Sequence, residues 1–306
     1  MERIGKYVVH KAVITSGYAR IYLCHDPDLQ VPVAIKLFDP RPGDVSYLSP
    51  AQQLTRFQTE ARLLASFDHP YIIGVKVLEA LSDGRPYFVM PFMAAHLPYE
   101  IGKDFASLED EQAADDRDKP KRMAPARAMI ALKQLSSGVL ALHRRNLVHR
   151  FIKPSNVLLT ATQNGSVKLC DLSMVKLPER NLPMPDHWQG GVEYTAPEQR
   201  ENATAVTTRA DVYSLGVIAY RLLTGRLPDP TAESARLPDD FPAEMVELVE
   251  ACTAADPARR PAHAGEILAG LERVPAPSRP APAKVVVQTV APRRVTTPPS
   301  SAAGAG

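Results

Sequence analysis

His149-Arg150-Phe151-Ile152-Lys153-Pro154-Ser155-Asn156, followed a hairpin's length later by Asp171-Leu172-Ser173, is the stretch on which the fold turns. The β-prone run from Val148 to Leu172 joins the two, folded back by the turn signal Asn164-Gly165. Upstream, Val33-Ala34-Ile35-Lys36 reads as a buried strand closing on a lysine. Alone, that tetrapeptide fits a strand that ends in a solvated cation. Glu60, however, lies 24 residues on, within a segment patterned for one helical face, where a glutamate could pair with the lysine. Downstream come Ala196-Pro197-Glu198, then Asp211-Val212-Tyr213-Ser214-Leu215-Gly216, then Asp256-Pro257-Ala258-Arg259-Arg260-Pro261.

Around these motifs the chain changes character near Phe92. Before it, Lys6–Ile14, Ile21–His25, Val33–Phe38, Ile72–Leu78 and Tyr87–Met90 read as strands. Pro50–Phe67 carries Leu54, Phe57, Ala61, Leu64 and Ala65 at helical spacing. Antiparallel strands with one helix form a small α+β unit. After it, helical patterns dominate at Pro125–Arg145, Asp211–Leu223 and Glu244–Cys252. Residues 104–118 hold seven acids and read as a solvated loop or insertion, with an acidic partner patch as the alternative.

Composition narrows the class. The 306 residues are 45% hydrophobic and 23% charged, so a sizeable core can form. From Val274 onward there are seven prolines, no acid and four basic residues, which predicts a disordered tail. Removing those four leaves 32 basic residues against 34 acidic, so no basic face suggests nucleic acid. Three scattered cysteines match no metal spacing and no disulfide framework, favouring a reducing cytoplasm. No signal peptide is expected behind Met-Glu-Arg-Ile-Gly-Lys, and the longest apolar run, Val212–Leu223, is too short to span a bilayer.

The six ordered markers closely resemble the protein kinase superfamily, and within it the bacterial, eukaryotic-like (Hanks-type) serine/threonine branch, over about residues 7–273. The resemblance implies a two-lobed α+β fold, with an antiparallel sheet and one helix in the small lobe and a mainly helical large lobe. The expected boundaries are 1–93 for the small lobe, 94–273 for the large lobe with an acidic insertion at about 104–119, and 274–306 for the tail. ATP, with Mg2+ or Mn2+, would lie between the lobes. By resemblance, Lys36 matches the phosphate-binding lysine and Glu60 its ion-pair partner on a mobile helix. Asn156 and Asp171 match the metal ligands, and Lys153 belongs to the catalytic loop. Met90 matches the gatekeeper, and the backbone of Pro91 and Met93 the adenine hinge. Proline lacks an N–H but keeps the carbonyl needed there. Ile21 and Ala34 would sandwich the adenine ring. Glu198 and Arg260 match a structural ion pair, and Asp211 the buried acid that anchors the catalytic loop.

The departures from that pattern bear on activity. The family's catalytic aspartate falls at Phe151, which has no lone pair and cannot accept a proton. The three glycines of the phosphate loop fall at Ile14, Ser16 and Ala19, with only Gly17 between them. Side chains there predict weaker phosphate cradling. Ser173 replaces a glycine and is expected to remove backbone freedom. From Met174 to Tyr194 there is no serine or threonine, and Gly191 stands where the family has a threonine. Arg150 could pair with a phosphate, yet the segment offers no ordinary acceptor, so switching by loop autophosphorylation is not expected. The leading reading is a pseudokinase that binds ATP and acts as a signalling scaffold or allosteric regulator through protein partners. A weakly active Ser/Thr kinase and an interaction module with an empty cleft are the alternatives. Thr297-Pro298 in the tail resembles a substrate site for another kinase.

Overall fold

Side chains along Val31–Phe38 alternate between two faces, as a strand's pleat requires. Val33, Ile35 and Leu37 enter one core with Ile4, Tyr7, Tyr22, Cys24, Tyr87 and Val89. Phe38 enters another with Phe57, Phe88 and Met90, and Ala34 packs on that side too. Lys36, between Ala34 and Phe38 in the alternation, shares their face. The sequence pattern thus places the lysine beneath the sheet.

The computed structural model describes residues 2–40, 48–162, 164–178, 191–229 and 231–275. In order, β1 (Arg3–Ile4), β2 (Tyr7–Ser16), β3 (Ala19–Asp26) and β4 (Val31–Phe38) precede helix α1 (Pro50–Ala65). Then come β5 (Val77–Ala80) and β6 (Pro86–Pro91). These six strands form an antiparallel sheet ordered β1-β2-β3-β4-β6-β5. Helix α1 starts cleanly. Ser49 and Gln52 form a reciprocal capping box ahead of a proline in the first turn. Its buried stripe holds Phe57, Ala61 and Leu64 together with Arg56 and Glu60. Full burial of Phe57 or Leu64 contributes ~1.5–3 kcal/mol each, which fastens the helix and with it Glu60.

The remainder contains β7 (Ala95–His96), α2 (Pro98–Ile101), α3 (Leu108–Ala113), α4 (Pro125–His143), β8 (Val157–Leu159), β9 (Val167–Leu169), α5 (Pro197–Glu201), α6 (Thr208–Thr224), α7 (Ala243–Cys252) and α8 (Ala264–Arg273). Leu132, Leu135 and Val139 of α4 and Val212, Leu215 and Ile218 of α6 are buried in one core. A strand lobe and a helical lobe result, the α+β class expected. No helix among the described residues is long and apolar enough to cross a membrane.

Two local expectations change, and one helix lies outside them. Ile72–Leu78 is not one strand: Ile72 makes an isolated parallel bridge to Leu169, and β5 begins only at Val77. Ile72 and Ile73 are both buried, so burial against β9 won over continuing the first sheet. The acidic stretch is not simply loop, since Ser107 caps α3. Its Asp104 is also tied into the large lobe, as described below. Helix α8 carries a strong apolar face at Ala264, Ile267 and Leu271 that the coarse sequence reading passed over. From residue 276 the expected tail lies outside the described residues, as do most of 174–194.

Candidate functional site

Lys36 Nζ lies 2.8 Å from both carboxylate oxygens of Glu60 and 3.7 Å from Asp171 Oδ1. The register brings this about: β4 holds Lys36 on the inner face, and α1 turns Glu60 toward it. Burial alone would lower the lysine's pKa, but the two carboxylates override it and hold the ammonium charged. Burial pushes the Glu60 carboxyl up to about 7, with Lys36 pulling the other way. For Asp171, burial is outweighed by Lys36 and by the bond from Ser173, leaving the carboxyl below its ordinary value.

Asp171 itself takes the left-handed conformation, φ 64°, and caps the turn Leu172–Met174 by accepting the Ser173 N–H. The strained backbone therefore sits on Asp171, while Ser173 lies in a 3-10 turn. In this conformation the serine needs no left-handed backbone.

The loop from His149 to Asn156 hangs on Asp211, which is fully buried on α6. Its Oδ2 accepts the His149 N–H at 2.8 Å and faces His143 Nε2 at 3.0 Å, and its Oδ1 accepts the Arg150 N–H at 2.9 Å. Burial pushes this carboxyl up, but the bond from His143 and the charges around it hold it low. His149 Nδ1 accepts the Phe151 N–H, so its Nε2 carries the proton and donates to Cys170 O at 3.2 Å. Burial holds that imidazole below its ordinary pKa. Asn156 Nδ2 donates to Phe151 O at 2.9 Å, closing the loop.

Phe151 is half-buried, and its ring faces Lys153 Nζ at 4.1 Å from the centroid. That contact stabilises the ammonium against the aromatic face. Gly191 makes the arrangement fit. It has φ 83°, and a Cβ there would stand 2.7 Å from Lys153 Cδ. Arg150 departs from its expected availability. Its guanidinium donates to the carbonyls of Met174, Val175 and Ala203, and the side chain is buried.

Toward the other end of the cleft, Ala34 pairs with Met90 and Val33 with Pro91, while Ile21 sits beside Lys36 itself. Met90 is buried, whereas Ile21, Ala34 and Met93 are partly exposed. Ile14, Ser16 and Ala19 are strand residues, and Gly17 with Tyr18 forms a two-residue tip between Ser16 and Ala19. Below the site, Arg260 holds Glu198 through two nitrogens at 2.7 and 2.9 Å and lies against the Tyr213 ring. Sequence reasoning missed a second tie. Arg221 Nε donates to Asp104 Oδ1 at 2.5 Å, and Tyr194 hydroxyl donates to Asp104 Oδ2 at 2.6 Å. The only hint was an arginine inside an otherwise apolar helical run.

Residues 7–270 match the family described as protein kinase domain. The chain belongs to the protein kinase family. The kinase PknL of Mycobacterium tuberculosis is 31% identical to it over 287 residues, covering 88% of this chain and 66% of PknL. Pkn2 of Myxococcus xanthus is 30% identical over 285 residues, 86% of this chain and 32% of that protein. PrkC of Bacillus subtilis is 30% identical over 227 residues, 73% of this chain and 31% of PrkC. All three are named serine/threonine-protein kinases, and this kinase domain spans less than two thirds of each of them.

Proposed function

We propose that this kinase domain binds Mg·ATP between its lobes and signals by binding protein partners, with phosphoryl transfer suppressed. The observation that carries the reading is Phe151, at the position resembling the family's proton acceptor, with Lys153 stacked on its ring. Removing a positioned base costs ~10²–10⁴ in rate, or about 3–5 kcal/mol of barrier. Nucleotide binding is supported by the Lys36–Glu60 pair, ready to hold phosphate oxygens, and by an oxygen set that suits a hard cation. Asp171 and the Asn156 amide oxygen would hold the metal, completed by the nucleotide's own oxygens. Bound, the metal neutralises charge on the phosphates. Met90, Pro91, Met93, Ile21 and Ala34 would receive the adenine, while Glu198, Arg260 and Asp211 keep the large lobe in shape. The proposed organisation is a small lobe to residue 93, a large lobe to 273 and a tail whose Thr297-Pro298 is a target for other kinases. A cytoplasmic setting fits the sparse cysteines.

A weakly active Ser/Thr kinase is the second reading, favoured by the assembled Lys36, Glu60 and Asp171. Phosphoryl transfer relies mainly on electrostatics, so a base is helpful rather than indispensable. Calorimetry with Mg·ATP, run beside transfer of labelled γ-phosphate, separates the two. The proposal expects binding, no transfer above the Asp171→Asn background, and recovery of transfer in Phe151→Asp. Wild-type transfer that vanishes in Asp171→Asn establishes the second reading instead. No binding at millimolar ATP leaves only the interaction module.

A further inference from the structure

The β2–β3 hairpin ends in a tip of two residues, Gly17 and Tyr18, with Ser16 paired to Ala19. A hydrogen bond from the Asp39 N–H to Tyr18 O, 2.8 Å, fastens that tip to the end of β4. Val13 and Ile14 on the same hairpin are about half exposed, yet Tyr18 turns inward and packs on the main core. Its ring lies 6.0 Å from that of Phe38, and Phe38 lies 5.6 Å from Phe57. Phe57 precedes Glu60 by one helical turn on α1, and Phe38 follows Lys36 by two residues on the same face of β4. The tyrosine is therefore lodged at the Lys36 end of the cleft, away from Ala34 and Met90.

We propose that the Tyr18 ring is a built-in plug, which occupies the space where a nucleotide's phosphates would reach Lys36 and must swing out before they bind. The proposal rests on the nucleotide-binding reading above and names what regulates it. Burial drives the phenol's pKa well up, and the charges acting on its hydroxyl are Lys36, Glu60, Asp171 and Arg56. Of these, Lys36 is the group proposed above for the phosphates and Asp171 the one proposed for their metal, and Lys36 Nζ lies 3.7 Å from Asp171 Oδ1. A plug of this kind lowers apparent affinity by the fraction of molecules in which it is open. It discriminates by phosphate content, since adenosine needs only the far end of the cleft. It also gives a partner that touches the hairpin a means of admitting ATP.

Two measurements test it on the full chain. First, dissociation constants for adenosine and for Mg·ATP are compared in wild type, Tyr18→Phe and Tyr18→Ala. The plug predicts ATP binding tightened about tenfold or more in Tyr18→Ala, unchanged adenosine binding, and Tyr18→Phe close to wild type because the ring remains. Equal ATP affinity in wild type and Tyr18→Ala overturns it. Second, tetranitromethane nitration at Tyr18 is followed by peptide mass, with Tyr99, 63% exposed, as internal reference. Tyr18 should react at least tenfold more slowly than Tyr99 and should speed up when Mg·ATP is added. Nitration as fast as at Tyr99 without nucleotide also overturns it. Should Tyr18 be protected while neither wild type nor Tyr18→Ala binds ATP, the nucleotide reading has failed and the gate goes with it. Should ATP bind equally to both, the gate alone has failed.

Discussion

An imidazole with both nitrogens bonded and no exposed surface has no place for a second proton. His149 is in that position, accepting from Phe151 and donating to Cys170. Its pKa is depressed on folding, so its contribution to stability is complete above the ordinary value of ~6.5 and is lost as the pH falls. Glu60, raised to about 7, acts oppositely: its contribution is lost as the pH rises from the ordinary carboxyl range toward 7. Comparing variants isolates the histidine. Between pH 7 and pH 5 the wild type should lose stability faster than His149→Asn, by up to ~1.4 kcal/mol per pH unit. Urea melts at several pH values measure this, and coincident slopes would remove His149 from the titration. Gly191 offers another residue-scale test. With φ 83° and Lys153 Cδ in the way of a Cβ, Gly191→Ala should cost about 1–2 kcal/mol. A variant as stable as wild type would show that the backbone at 191 leaves the left-handed region without cost and that Lys153 moves aside.

Between elements, two arginine–carboxylate ties hold the large lobe in register. Arg221 on α6 is fully buried and donates to Asp104 and to the carbonyls of Ile101 and Lys121. The Tyr194 hydroxyl shares the same carboxylate, so the segment beneath the cleft is linked to the chain that follows α2. Asp104→Ala leaves a buried guanidinium without its anion, a change worth about 3 kcal/mol. The melting temperature should then fall by roughly 6–12 °C at ~2–4 °C per kcal/mol for a domain of this size. A fall below 2 °C would mean that carbonyls and water suffice for Arg221. Glu198→Gln should behave similarly, because Arg260 is also buried and meets that carboxylate through two nitrogens.

At the scale of the whole molecule, a ligand bridging two lobes stabilises both. Mg·ATP at ~100 times its dissociation constant should add about 2.7 kcal/mol, seen as a rise of several degrees in melting temperature. Lys36→Ala should lose most of that rise, since the phosphates then lack their cation. A full rise in Lys36→Ala would place the nucleotide elsewhere.

Much of this was written in local patterns. Period-two alternation along Val31–Phe38 set the face on which Lys36 lies, and helical spacing with a capping box set α1 and Glu60. Ordered motifs from His149 to Arg260 carried the family, the two-lobed class and the phenylalanine at 151, because each depends on residue type at fixed spacing. What sequence could not reach were pairings across long separations, where nothing local marks one partner for the other. Asp104 and Arg221 are 117 residues apart, Arg150 is used up by carbonyls of Met174, Val175 and Ala203, and Tyr18 turns inward onto Phe38, which in turn packs on Phe57. Chain chemistry determined which groups the cleft holds. Packing in three dimensions decided which of them stay free to meet a ligand.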